Sequence, residues 1–174
     1  LRIATFNTRT LRDDWRMQEL ARLACDLSIS VLAIQEHGRS NTNCSPPGQG
    51  WELKLSPAST PGHGGIGFLL SPTAARAPLA VSFLSPTIGL ASFAQKDRRL
   101  HVICAYAPTA PRTAEDPSDT EDFYDTLGST FDSLPRRDIS FVVGDFNAPL
   151  PPDGLRVRNR CGSLNINSSL LSGF

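Results

Sequence analysis

Residues 141–148 read FVVGDFNA, an apolar run that ends in polar side chains. The opening residues are typical of a buried β-strand, and we assign this strand to residues 139–146. Because a strand alternates its side chains between two faces, Asp145 and Asn147 are predicted to point the same way, and Phe146 back toward the core. The stretch therefore predicts a strand that delivers a carboxylate and an amide to one place.

The N-terminal part of the chain has the pattern of a β-α-β unit. A short strand is predicted over 2–7, a helix over 15–27 and a second strand over 31–36, which has the sequence VLAIQE. One buried stripe of the helix is predicted from apolar residues that recur three and four positions apart, namely Leu20, Leu23, Ala24 and Leu27.

Short strands and a second helix are predicted further along the chain. Residues 37–50, rich in Ser, Asn, Pro and Gly, are typical of a surface loop. The strands are expected at 52–55, 66–70, 79–84, 88–94 and 100–107. The helix is expected at 120–134, with one apolar face formed by Phe123, Leu127, Phe131 and Leu134. This succession of short strands indicates sheets packed on each other.

Composition indicates a globular domain with no global attraction to polyanions. The 174 residues are enough for one core, and 17 basic side chains balance 17 acidic ones. All basic residues except Lys54 and Lys96 are arginine, which favours bidentate phosphate contacts, although a lineage bias toward arginine explains this equally well. Among the scattered cysteines, Cys25 is expected on the apolar face of a helix and Cys104 inside a strand, where a free cysteine packs as a small hydrophobe. The cysteines and the lack of a membrane-spanning run predict an intracellular protein in a reducing compartment, with no membrane partner.

Five polar side chains lie where predicted strands end: Asn7, Glu36, Tyr106, Asp145 and Asn147. Taken singly, each is more simply a residue leaving the core. Together they provide the oxygen ligands that Mg²⁺ prefers beside a substrate phosphate. In this interpretation Glu36 binds the metal and Asp145 orients or deprotonates an attacking water.

The amide and phenol groups have supporting roles in the same hypothesis. Asn147 would hold the water or a phosphoryl oxygen, and Tyr106 would donate a hydrogen bond to the phosphate. Asn7 would fix Glu36 or a metal-bound water.

The three histidines are assigned structural roles. His37 adjoins Glu36 but is expected on the opposite face of the strand, in a loop or packing role. His63 is expected in a turn, and His101 inside a strand. None of them is predicted to act as the base.

Five ordered motifs carry a resemblance to a known superfamily. They are TFNTRTL with Asn7, IQEH with Glu36, GGIGFLL, AYAP with Tyr106, and VVGDFNA with Asp145 and Asn147. In this order they resemble the endonuclease/exonuclease/phosphatase superfamily, and most closely the apurinic-type endonuclease domain of non-LTR retrotransposons and their craniofacial-development-like relatives. The resemblance covers nearly the whole chain.

The resemblance implies a four-layer α/β sandwich, in which two stacked mixed sheets are flanked by helices. It also implies hydrolysis of DNA with Mg²⁺, or with Mn²⁺ in its place, which nicks one strand and leaves a 3′ hydroxyl. A reverse transcriptase domain in the same parent polypeptide and action in the nucleus follow as expectations. By the same resemblance, Glu36 is the metal ligand, and Asn7, Tyr106, Asp145 and Asn147 are catalytic or phosphate-binding.

One departure from the superfamily pattern keeps other functions open. The family places a Ser-Asp-His motif near its C-terminus, and residues 1–174 contain none. We therefore expect a domain of this type that is C-terminally incomplete. Because the sequence begins LRIATFN, without a methionine and directly in a predicted strand, we also expect it to be excised from a longer protein. The alternatives are an abasic-site repair nuclease or other phosphoesterase of the same fold, and a noncatalytic remnant that binds nucleic acid or protein. Two roles are open for Arg156, Arg158 and Arg160: they would contact a DNA backbone, or they would protect an exposed sheet edge by their charge.

Overall fold

A computed structural model describes residues 1–39, 50–57, 64–77, 80–109 and 118–147, and the backbone alone at 158–159 and 162–163. His63 and the side chains of Arg156, Arg158 and Arg160 lie outside the described residues, as does most of the predicted loop at 37–50.

The first sheet is mixed and has four strands in the order β1-β2-β4-β3. β1 and β2 are parallel and are joined by helix α1, whereas β4 is antiparallel to both β2 and β3. The bounds are β1 Ile3–Asn7, α1 Asp14–Asp26, β2 Val31–Gln35, β3 Glu52–Leu55 and β4 Ile66–Leu70.

The second sheet is also mixed, with its four strands in the order β5-β6-β7-β8. β5, β6 and β7 are antiparallel neighbours, while β7 and β8 are parallel and are joined by helix α3. The bounds are α2 Pro72–Ala75, β5 Val81–Ser85, β6 Ile88–Ala94, β7 Arg99–Tyr106, α3 Ser118–Asp132 and β8 Ile139–Asp145. Two two-residue strands, β9 Arg158–Asn159 and β10 Gly162–Ser163, pair antiparallel with each other.

Side chains that alternate between the two faces of each sheet divide the core into three apolar layers. In β2, Leu32 and Ile34 pack in one cluster with α1, whereas Val31 and Ala33 belong to the cluster between the two sheets. On the other side, Ile103 and Ala105 of β7 form a third cluster with Phe123 of α3. The order is therefore helix, sheet, sheet, helix, which confirms the predicted four-layer sandwich.

The sequence predicted the strands better than it predicted which helix residues are buried. The bounds of β3, β4 and β6 agree with the prediction. The bounds of β1, β2, β5, β7 and β8 differ from it by one or two residues at one or both ends. The α1 stripe was wrong in phase, since Leu23 and Leu27 are 39% and 50% exposed. The buried residues of this helix are Met17, Leu20, Ala21 and Ala24.

Two further expectations about burial were wrong. On α3, Phe131 is 46% exposed, because only part of the predicted apolar face contacts the sheet. Cys25 is exposed on α1, where a buried position had been inferred, whereas Cys104 in β7 is buried as expected. The short helix α2 was not predicted, since a single turn that begins at proline gives no periodic signal.

The two parallel pairs bring four strand ends together. β1 and β2 end at Asn7 and Gln35, while β7 and β8 end at Tyr106 and Asp145. The two sheets contact each other through these pairs, with β8 lying against both β1 and β2. The carboxyl ends of strands from both sheets therefore meet at one end of the sandwich. Among the described residues, no helix is long and apolar enough to cross a membrane.

Gly144 allows β8 to lie close to β7 just before Asp145. Its φ is +154°, and a Cβ at this position would lie 1.8 Å from the carbonyl oxygen of Ala105, its register partner. No side chain fits there without moving one of the two strands.

We expect Gly144→Ala to destabilise the fold by roughly 2–4 kcal/mol, because the added methyl group forces β7 and β8 apart. Urea unfolding measures the change. Gly128→Ala is the matched control, since Gly128 lies in α3 and a Cβ there meets nothing within 4 Å. That control should stabilise the chain by about 0.5–1 kcal/mol. Equal stability of Gly144→Ala and the unsubstituted chain would contradict the close approach.

Candidate active site

Two carboxylates from different sheets meet on the side-chain amide of Asn7. Its Nδ2 donates to Oε1 of Glu36 at 2.7 Å and to Oδ2 of Asp145 at 2.8 Å. An amide NH₂ has two hydrogens, so one is available for each carboxylate. The end of β1 in the first sheet and the end of β8 in the second are thereby linked at one point.

The orientation of the Asn7 amide is fixed from its other side. Its Oδ1 accepts a hydrogen bond from the backbone N–H of Arg9 at 2.9 Å, which forms a tight turn after β1. Arg9 adopts a left-handed backbone conformation, with φ of +54°. With Oδ1 engaged in this way, the NH₂ group faces the carboxylates.

Glu36 occupies an unfavourable backbone conformation. Its φ is +57°, in the left-handed region, which costs a residue other than glycine on the order of 1–3 kcal/mol. The turn is held in place by Thr8, whose hydroxyl donates to the carbonyl oxygens of Gln35 and Glu36 at 3.0 and 3.3 Å. Such strain is common where a side chain must be aimed at a site.

Tyr106 completes the contact between the sheets. Its hydroxyl donates to the same Oε1 of Glu36, at 2.9 Å. The pKa of Tyr106 is raised to about 12, first by burial and then by the hydrogen bond to Glu36 and the negative charge of Glu36. A hydrogen bond with Asn147 acts in the opposite direction. The phenol is therefore neutral at physiological pH and is a hydrogen-bond donor rather than a base.

The structure corrects the predicted geometry at the end of β8. The strand ends at Asp145, and Asn147 has a left-handed φ of +47°, so the alternation of strand side chains does not extend to it. Phe146, expected in the core, is 37% exposed.

Asn147 still lies beside Asp145. Its backbone N–H donates to Oδ1 of Asp145 at 2.9 Å, and its Nδ2 donates to the carbonyl oxygen of Ala107 at 2.6 Å. The structure thus brings together all five side chains singled out in the sequence, with Asn147 at the edge of the group.

Two of the histidines have structural partners. His37 is buried: its Nδ1 accepts from the N–H of Arg39 at 3.0 Å, so its Nε2 carries the proton and donates to Ser56 O at 3.1 Å. His101 is hydrogen-bonded to Ser92 and Asp138. Neither ring bonds to a carboxylate of the site.

The donor set suits a hard divalent cation. Glu36 and Asp145 offer carboxylate oxygens, and both hydrogen bonds to Glu36 end on Oε1, so that Oε2 takes part in neither. In the described part of the chain, no group of three or more His, Cys, Asp or Glu side chains could hold a metal. One or two carboxylates, completed by water and substrate phosphate, are what Mg²⁺ commonly uses.

A buried glutamine beneath the site was missed in the sequence. Gln35 is 1% exposed and lies one residue before Glu36. The signal that identifies it is a single long polar side chain closing the otherwise apolar strand VLAIQ.

Tyr106 should resist ionisation. Its pKa is raised to about 12 by burial and by the hydrogen bond and negative charge of Glu36. At about pH 11 in the absence of divalent metal, Tyr106 should therefore stay protonated, although an unperturbed tyrosine has a pKa of about 10. NMR of Tyr124→Phe carrying ¹³C at the tyrosine ring measures the pKa, because Tyr106 is then the only tyrosine in the sequence. When Glu36→Gln is added, the pKa of Tyr106 should fall but stay above about 10, because burial remains. A Tyr106 pKa that is the same with and without Glu36→Gln would refute the contact.

Stability should fall in mild acid because of His37. The pKa of His37 is lowered from 6.5 to about 4, chiefly by burial. The hydrogen bond to Ser56 raises the pKa in part, and the positive charge of Arg39 lowers it. As the pH falls below 6.5, His37 becomes protonated in the unfolded chain but stays neutral in the folded chain. The contribution of neutral His37 to stability is therefore complete above pH 6.5 and is lost as the pH falls toward 4. At about pH 5 the loss should be about 2 kcal/mol in urea unfolding, relative to His37→Gln. Parallel pH profiles of the two proteins would contradict it.

Comparison with known proteins places the fold. No protein-family model and no curated protein matches the chain. Among solved structures, it is similar to the "Endonuclease domain of TRAS1, a telomere-specific non-LTR retrotransposon", with a TM-score of 0.62, 15% identity, and coverage of 85% of this chain and 61% of that one.

Two DNA-processing enzymes are similar to the same degree. An AP endonuclease from Archaeoglobus fulgidus has a TM-score of 0.64 and 20% identity, over 87% of this chain and 59% of that one. The 3′ phosphatase NExo from Neisseria, bound to a product DNA hairpin, has a TM-score of 0.64 and 18% identity, over 83% of this chain and 57% of that one.

These likenesses show that the chain has the fold of the endonuclease/exonuclease/phosphatase superfamily. The chain spans about 60% of the length of the solved structures it matches.

Proposed function

We propose that the chain carries a Mg²⁺-dependent phosphodiesterase site and belongs to a DNA-nicking endonuclease of the non-LTR retrotransposon type. The observation that carries the proposal is the meeting of Glu36 and Asp145 on the amide of Asn7. Two like charges held this close are costly without a cation, and a metal with a phosphate is the natural occupant.

Glu36 is the proposed ligand of Mg²⁺, or of Mn²⁺ in its place. When bound, the ion would neutralise charge on the scissile phosphate. Asn7 holds Glu36 in position through its Nδ2. Its second hydrogen bond fixes the Oδ2 of Asp145.

Asp145 is the proposed base. It would take a proton from a water molecule as the water oxygen bonds to phosphorus and the bond from phosphorus to the 3′ oxygen breaks. Solvent water would protonate the leaving 3′ oxygen to give the 3′ hydroxyl, and the phosphate would stay on the 5′ oxygen of the other fragment. Tyr106, neutral and a donor, would turn from Glu36 toward a phosphate oxygen. Asn147 would hold the water or a phosphoryl oxygen from beside Asp145.

DNA is the proposed substrate class because of the structures that share the fold. They include a retrotransposon endonuclease domain, an AP endonuclease and a phosphatase with bound DNA hairpin. The retrotransposon type adds two proposals, a reverse transcriptase domain in the same polypeptide and action in the nucleus. Its support is the TRAS1 likeness together with the five ordered motifs.

Metal binding tests the site directly. Calorimetry with Mg²⁺ on the 174-residue chain should show binding that Glu36→Gln weakens at least about tenfold, because the amide removes the ligand charge. Glu19→Gln is the matched control, since Glu19 is an exposed residue of α1. Mg²⁺ affinity equal in all three proteins would refute the assignment of Glu36.

Nicking of supercoiled plasmid tests the reaction. Asp145→Asn should lower the Mg²⁺-dependent rate about 100-fold or more, since a general base contributes about 10²–10⁴-fold. If the chain binds Mg²⁺ but leaves plasmid, abasic duplex and inositol phosphates uncut, the noncatalytic alternative holds for these 174 residues. Cleavage of the abasic duplex alone would favour the repair-nuclease alternative.

A further inference from the structure

A second polar layer lies directly beneath the candidate site. Its members are Thr5, Gln35 and Cys104, in β1, β2 and β7. Each precedes a site residue by one or two positions in the chain: Thr5 precedes Asn7, Gln35 precedes Glu36, and Cys104 precedes Tyr106. The layer therefore connects three of the four strands that deliver the site.

Gln35 is the centre of this layer because both ends of its amide are engaged. Its Oε1 accepts from the hydroxyl of Thr5 at 3.0 Å, and its Nε2 donates to Sγ of Cys104 at 3.2 Å. The thiol of Cys104 in turn donates to Ile34 O at 3.5 Å. One side chain thus links neighbouring strands of the first sheet and crosses to the second.

The buried position of the Gln35 amide is not explained by a gain in stability. Gln35 is 1% exposed, and its partner Cys104 is fully buried in the apolar cluster between the sheets. Burying an amide costs free energy that a weak sulfur partner only partly offsets. An apolar side chain of similar shape would fill the same space without that cost.

We propose that Gln35 is a positioning residue, which sets the two sheets in the register at which Tyr106 reaches Glu36 and Asn7 reaches Asp145 within hydrogen-bonding distance. Apolar packing is non-directional and tolerates small sliding of one sheet on the other. Hydrogen bonds with fixed donors and acceptors do not. The consequence for metal binding rests on the proposed function, whereas the consequence for the contacts of Asn7 does not.

Gln35→Met is the decisive variant, since methionine matches the length of glutamine but has no amide. We expect Mg²⁺ affinity to fall about tenfold, which one displaced ligand would produce. The urea midpoint should be unchanged or higher, because the buried amide is removed together with its cost.

A second readout needs no metal. In ¹H–¹⁵N spectra of the metal-free chain, the side-chain NH₂ of Asn7 should show two unequal protons, one hydrogen-bonded to Glu36 and the other to Asp145. In Gln35→Met, the signal of the proton that bonds Asp145 across the sheets should shift toward the free-amide value.

Matched variants separate positioning from general packing. Val102→Ala lies in the same cluster and strand as Cys104, and should lower the urea midpoint while leaving Mg²⁺ affinity and the Asn7 signals in place. Cys104→Ser keeps a group that accepts from Gln35 and donates to Ile34, and should hold Mg²⁺ affinity within about twofold. Thr5 lies at the exposed end of the layer, so Thr5→Val removes only one partner of Gln35. It should shift the Asn7 signals in the same direction as Gln35→Met does. Thr5→Val therefore tests the inference if Gln35→Met does not fold.

Two outcomes would overturn the inference: unchanged Asn7 signals in Gln35→Met, or equal effects of Gln35→Met and Val102→Ala on the Asn7 signals. If the unsubstituted chain binds no Mg²⁺, the proposed function fails and the Asn7 signals alone decide the role of Gln35.

Discussion

The structure depends on one side chain that donates to two acids. The Nδ2 of Asn7 lies 2.7 Å from Glu36 Oε1 and 2.8 Å from Asp145 Oδ2, although Glu36 follows a strand of the first sheet and Asp145 ends a strand of the second. Like charges brought together in this way oppose folding unless donors or a cation compensate them. The compensation is built from neutral groups, the amide of Asn7 and the phenol of Tyr106, so it adds no permanent positive charge to the site. The fold therefore tolerates a concentrated negative charge at the end of the sandwich where strands of both sheets end.

The sequence predicts the layers of this fold more securely than their contacts. Alternating apolar residues fix which side of β2 or β7 faces a helix, because each residue has only two directions available. A helix stripe can rotate, and on α1 small and flexible side chains, Ala21 and Met17, take the buried positions while Leu23 and Leu27 lie at its margins. Periodicity identifies a stripe but does not choose between adjacent phases when apolar residues occupy both.

The candidate site could be anticipated as a set of residues but not as a geometry. Strand-end polar residues and the order of five motifs identified all five side chains. The left-handed backbones of Glu36 and Asn147 were not visible, since neither residue is glycine and the pleat suggested continued strands. The role of Gln35 could not be inferred either, because its partners Thr5 and Cys104 lie 30 and 69 residues away in the chain.

The division of the site between two stacked sheets has a consequence for handling the protein. Each sheet keeps its own backbone hydrogen bonds if the sandwich loosens, so circular dichroism would report intact secondary structure. The pairing of Asn7 with Asp145 would be lost with a displacement of an ångström or two, well before the strands separate. Loss of this pairing by mild heat or denaturant should thus precede unfolding, and a preparation that looks native by its spectrum can already lack an assembled site.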